Sequence, residues 1–116
     1  VDLELDRPRK LRFDVNAIDD FERRAGVPPL EAMQAGRIGH IRDLLWAGLK
    51  WEDPKLTTIK TGDLLQRAMD EGTELEDIVD RILEALIQAG IAKRREGSTS
   101  TSDSRPAGGP EGNPTQ

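Results

Sequence analysis

Two pairs of adjacent carboxylates, Asp19-Asp20 and Glu52-Asp53, are the first residues in this sequence whose type and spacing could do chemistry. Neighbouring acids can share a proton in general acid–base work or hold a hard cation. Both pairs fall where a helix end or a loop is expected, and acids there complement the helix dipole without any catalytic role. His40 is the only histidine. A lone imidazole with no second ligand reads as a surface residue or a pH-sensitive contact. Lys93-Arg94-Arg95, with Arg105 further on, could meet nucleic acid or an acidic partner, yet bases at a helix C-terminus also complement its dipole. Trp46 and Trp51 are two of only four aromatic residues and lie within six positions of each other. Tryptophan is enriched in interface hot spots. Burial preferences place both in a core, one on each side of a central helix. Of the two, Trp46 is the one expected to face a partner.

What is missing narrows the chemistry further. There is no cysteine, hence no disulfide, thiolate nucleophile or zinc–cysteine site, and there is no tyrosine. The four serines, Ser98, Ser100, Ser102 and Ser104, all lie near the C-terminal end. The region before them can build neither a Ser-His-Asp triad nor a two-histidine metal site. A non-enzymatic protein without metal or cofactor is expected.

Of 116 residues, 35% are apolar and 34% charged. Ala107 is the only apolar residue after Ala92, so the sequence divides into a globular unit over 1–92 and a polar tail over 93–116. The tail cannot bury enough surface to offset its ordering entropy and is expected to be disordered. Residues 1–92 hold 13 basic and 19 acidic residues, a net charge of −6, which makes nucleic acid an unlikely main partner. No run approaches the roughly 20 apolar residues of a membrane span. No signal-peptide pattern opens the sequence, which points to a cytoplasmic protein.

The elements follow from periodicity. Leu3 and Leu5, then Leu11, Phe13 and Val15, alternate with charged residues around Asp6-Arg7-Pro8-Arg9, the pattern of a β-hairpin. Asn16 is expected to cap a helix over 17–25 with Asp19 and Asp20 in its first turn, burying Ile18, Phe21 and Ala25 and ending at Gly26. A short helix over 30–35 follows Pro28-Pro29. Over 37–51, Ile38, Ile41, Leu45, Gly48 and Leu49 share one helical face, with Leu44 and Trp51 on its flank and Trp46 projecting away. Thr57 or Thr58 caps the next helix, to about residue 70, expected to bury Ile59, Leu65, Ala68 and Met69. Thr73 with Glu76 has the spacing of a capping box before a strongly amphipathic helix carrying Leu75, Ile78, Val79, Ile82, Leu83, Leu86 and Ile87. The expected class is mainly α with an N-terminal β-hairpin (α+β): a small domain of four to five helices plus the disordered C-terminal tail.

The run LRFDVNAIDDFE, Leu11 to Glu22, is similar to the opening of small tail proteins of long-tailed phages and phage-derived gene transfer agents, in which a strand ending in Asp-x-Asn-Ala leads into the first helix. The run IRDLLWAGLKWEDPKLT, Ile41 to Thr57, resembles the same family's Leu-Trp-Ala-Gly-Leu segment, acidic break and capped helix. With the hairpin and the final helix the resemblance spans roughly residues 3 to 91. It implies a tail assembly chaperone in the bacterial host cytoplasm, transiently associated with assembling tails. Such a protein binds the tape-measure protein, keeps it from aggregating, and helps tail-tube protein polymerise around it. Some family members carry a tail-tube label, which fits less well, because a tube subunit needs a large β-sandwich.

Surplus apolar surface and an unpaired hairpin edge also suit a binding protein. The partner-binding face is expected at Leu44, Trp46, Leu49 and Trp51, with self-association possible through the hairpin edge. Two alternatives accompany this reading: a structural minor tail or tail-tube-associated protein retained in the particle, and, more distantly, a DNA-binding regulator with a helix-turn-helix over residues 37–71.

Overall fold

In the computed structural model, which describes residues 1–92, two short strands precede five helices: β1 (Asp2–Glu4), β2 (Pro8–Lys10), α1 (Val15–Ala25), α2 (Pro29–Ala35), α3 (Ile38–Leu49), α4 (Thr58–Asp70) and α5 (Leu75–Gln88). The mainly helical class with an N-terminal hairpin is therefore correct. The expected tail disorder and the Lys93-Arg94-Arg95 cluster lie outside the described residues.

β1 and β2 pair antiparallel with Leu3 opposite Arg9, and Leu11 N–H extends the ladder by donating to the Val1 carbonyl at 2.7 Å. Leu3, Leu11 and Phe13 are buried as their alternation requires. Val15 is not: it is 81% exposed, because the chain turns helical there. Asp14, rather than Asn16, is the cap, its Oδ1 accepting from Ala17 N–H at 2.8 Å. Asp19 and Asp20 consequently lie beyond the first turn, and Ala17 and Phe21 are the buried residues of α1. Gly26 and Gly36 close α1 and α2 in the left-handed conformation at φ 77° and 68°, where a Cβ would be strained.

α3 is the hub. It packs against α1, α2, α4, α5 and β2, which explains why it is apolar on several sides. Ile41, Leu44, Leu45 and Leu49 are fully buried against Phe21 of α1 and Ile78, Ile82 and Leu86 of α5. Ile38, expected on the buried face, is exposed at the N-terminal end of α3. Asp43 is also buried, beside the Arg42 guanidinium at 3.0 Å and that of Arg24 at 3.6 Å. Arg24 reaches across to donate to Thr58 Oγ1 at 2.8 Å, joining the end of α1 to the start of α4.

Thr57 caps α4, accepting from Lys60 N–H at 3.1 Å. The buried face of α4 is Thr58, Thr61, Leu65 and Ala68, while Ile59 and Met69 are exposed. The Thr61 hydroxyl enters this face without an orphaned group by donating to the Thr57 carbonyl at 2.8 Å. The Thr73–Glu76 capping box does not form. Thr73 N–H instead closes the end of α4 on the Ala68 carbonyl at 2.9 Å, and α5 starts from Glu74 without a side-chain cap. The α3–α4 connection, residues 50–57, is about twice the three- to four-residue turn of a helix-turn-helix. Among the described residues no helix is long and apolar enough to cross a membrane.

Candidate functional site

The four residues expected to form one partner face do not share a surface. Leu44 and Leu49 are fully buried, because α3 is enclosed by other elements on every side that carries leucine, and neither is available to a partner. Trp46 is half-buried, and its indole N–H donates to the Leu56 carbonyl at 2.9 Å, tying α3 to the segment before α4. The Lys50 ammonium sits 4.8 Å from the centre of its ring. Trp51 is more exposed, and its N–H donates to the Lys10 carbonyl at 3.0 Å, with the Arg12 guanidinium 5.4 Å from its ring. Both indoles act as internal ties.

The Trp51 contact also bears on the hairpin edges. In an antiparallel pair, alternate residues point their backbone groups away from the partner strand. Lys10 is such a residue on β2, so Trp51 occupies the outer edge that Pro8 already interrupts. The outer edge of β1 carries Asp2 and Glu4. Pairing two copies along it would set these acids against the same acids of the second copy.

Three of the four paired carboxylates are drawn into ion pairs. Asp19 accepts from Arg23 at 2.8 Å one turn along α1, and Asp20 pairs with Lys50 of the α3 end. Asp53 Oδ2 lies 3.6 Å from Arg9 Nη1. Arg9 is the buried cation of the hairpin, and its Nε and Nη2 donate to the two oxygens of Asp6 at 2.7 and 3.0 Å. This fork holds the Asp6 carboxyl below its usual range, chiefly through the side-chain hydrogen bond, and raises Arg9 above its ordinary value for the same reason. His40 is half-buried with its Nδ1 covered and without a hydrogen-bond partner among the described residues. Among those residues no group of three or more His, Cys, Asp or Glu side chains could hold a metal ion.

An apolar groove open to solvent lies elsewhere among the described residues. α2 and α5 both lean on α3, and between them runs an open groove of about 1070 Å³. Leu30 and Met33 of α2 form one wall, Val79, Leu83 and Ile87 of α5 the other, and Ile91 and Ala92 close one end. Leu30 is 42% and Leu83 37% exposed, so the walls present apolar surface to solvent. Among the described residues the polar lining consists of Gln34, Asp80 and Glu84.

Periodicity could have located this groove. Buried Ile78, Ile82, Ala85 and Leu86 take one side of α5, and Val79, Leu83 and Ile87 stand beside them. At 100° per residue the combined arc from Ala85 round to Ile87 covers about 200°, more than one packed interface of a surface helix needs.

No protein-family model, curated protein or solved structure matches this chain.

Proposed function

We propose that this chain is a non-enzymatic adaptor of phage or gene-transfer-agent tail morphogenesis, a tail assembly chaperone that binds the tape-measure protein and promotes assembly of the tail-tube protein around it. The observation that carries this reading is the α2/α5 groove, an elongated apolar trough open to solvent on an otherwise charged small domain. A chaperone for a long helical chain needs such a surface, and it needs no catalytic group. The family resemblance of residues 11–22 and 41–57 supplies the identity of the partner. The groove supplies a place to hold it, and replaces Leu44 and Leu49 in that role.

Co-expression with the tape-measure protein of the same element tests the proposal. A chaperone brings the long chain into the supernatant and co-purifies with it. If the partner remains insoluble while this protein assembles into rings or tubes by itself, a structural role in the particle replaces the chaperone.

A further inference from the structure

We infer that the open edge of β1 takes on a third strand, an extended segment of a partner protein that carries lysine or arginine at alternate positions. The inference goes beyond the chaperone reading and does not rest on it, and this surface shares only Asp80 with the lining of the α2/α5 groove. Val1 and Leu11 exchange both backbone hydrogen bonds, Val1 N donating to the Leu11 carbonyl at 3.2 Å and Leu11 N–H to that of Val1 at 2.7 Å. Bonded and non-bonded pairs alternate along an antiparallel ladder. Leu3 therefore bonds across to β2, whereas Asp2 and Glu4 turn their N–H and C=O groups outward. None of these four groups meets another backbone group among the described residues. The outer edge of β2 is closed: Pro8 has no N–H, and the Lys10 carbonyl accepts from Trp51. The sheet can therefore grow on one side only.

An open trough of about 480 Å³ runs beside that side, between β1 and the first turns of α5. Its charged lining is Asp2, Glu4, Asp77 and Asp80 against Arg81, with Lys10 of β2 at 3.9 Å from Asp2. Charges on a short edge strand guard it against pairing with the wrong chain. Asp2 and Glu4 do so against a second copy, whose β1 brings the same acids, and against the phosphates of nucleic acid. A strand with bases opposite them gains instead, because directly opposed unlike charges stabilise a sheet. Asp2 and Glu4 lie two residues apart on one face, so the bases belong at alternate positions of the incoming segment. The outward groups of β1 engage about three residues of it, or about 10 Å at 3.4 Å per residue. Ala92, the residue before Lys93-Arg94-Arg95, donates to the Leu86 carbonyl at 3.2 Å, at the end of α5 away from Asp77. A partner's segment approaches the trough without that detour.

The test titrates the full isotope-labelled chain, followed by NMR, with peptides of about eight residues alternating lysine and threonine. A second peptide has glutamate for lysine, and a third is N-methylated at every lysine, which keeps the charge and removes the donors. The lysine peptide should bind at least about tenfold more tightly than the glutamate one. At saturation it should slow hydrogen exchange of the Asp2 and Glu4 amides at least about tenfold. N-methylation should weaken it about tenfold. Glu4→Lys should weaken it to a similar extent and Asp77→Asn less, with circular dichroism checking that each variant folds. Leu83→Asp, which addresses the groove, should leave this binding unchanged. Equal affinity for the lysine and glutamate peptides, or binding of neither, overturns the inference and leaves Asp2 and Glu4 as guards of the edge. An N-methylated peptide that binds as tightly as its parent overturns strand addition. Joint replacement of Lys93, Arg94 and Arg95 by glutamine that raises the peptide's affinity about tenfold makes the chain's own segment the occupant and overturns the partner. A dimer of the free chain that protects the same amides makes a second copy the occupant, with the same consequence.

Discussion

A Cβ built on Gly48 would stand 2.9 Å from Cζ of Phe13 and 2.8 Å from Cδ2 of Leu11. The segment after the hairpin lies directly against the back of α3 at this point, and Arg12 N–H donates to the Gly48 carbonyl at 2.9 Å. Gly48 stands in the last turn of α3, where glycine costs at most about 1 kcal/mol relative to alanine. Here that cost is offset by the approach it permits.

Gly48→Ala should therefore destabilise the protein, by about 1–3 kcal/mol from overpacking against two buried side chains, despite the better helix propensity of alanine. Urea denaturation followed by circular dichroism measures it. An unchanged or raised midpoint would mean that Leu11 and Phe13 can move aside freely.

Trp46→Phe should lower stability more than Trp51→Phe. Each removes an indole N–H, but the carbonyl left behind at Leu56 belongs to a buried residue, whereas that at Lys10 belongs to an exposed one that water can serve. A loss of about 1–2 kcal/mol is expected for Trp46→Phe and under about 1 kcal/mol for Trp51→Phe. Neither should alter capture of the tape-measure protein. A Trp46→Phe protein with intact stability and weakened capture of the tape-measure protein would restore the tryptophan face as the partner site.

Protonation of Asp6 should unload stability at low pH. The Arg9 fork lowers the Asp6 pKa in the folded state relative to the unfolded chain. The folded state thus binds fewer protons near this group, and its contribution is fully present above the unfolded carboxylate value. It is lost as pH falls through the lowered folded value, in the window below about pH 4. Asp6→Asn should be less stable than the parent at pH 7, with the difference shrinking toward pH 2. A difference that stays constant with pH would mean that the Asp6–Arg9 pair does not persist in solution.

The sequence displays the fold where apolar spacing alone decides it and hides it where polar groups share the burial. Leu3, Leu11 and Phe13 keep the strand phase, and Ile78, Ile82 and Leu86 the helical one, so the hairpin and α5 were both legible. Arg9 was not, because a cation opposite Leu3 is buried only by virtue of Asp6 and Asp53, which no periodicity announces. α4 turns a different face inward for a related reason: Thr58 and Thr61 take the inner face because the Thr58 hydroxyl accepts from Arg24 and the Thr61 hydroxyl donates to the Thr57 carbonyl. Ile59, one position away, is left 73% exposed. Leu44 and Leu49 drop out of the expected partner face because they belong to a helix enclosed by five neighbouring elements, an arrangement that only the tertiary structure displays.

Leu30→Ser and Leu83→Ser should change global stability by less than about 1 kcal/mol each, since both side chains already meet solvent and their truncation leaves no enclosed cavity. Both should weaken capture of the tape-measure protein. Thermal unfolding together with co-purification of that protein separates the two effects. A large loss of stability would assign these leucines to the core and not to a docking wall.

The most direct test of the central claim is co-purification of the tape-measure protein with the parent chain and with Leu83→Asp, scored beside a folded Trp51→Ala control. The groove account predicts a soluble complex with the parent and with Trp51→Ala, and an insoluble partner with Leu83→Asp. Capture that survives Leu83→Asp and fails with Trp51→Ala would contradict it.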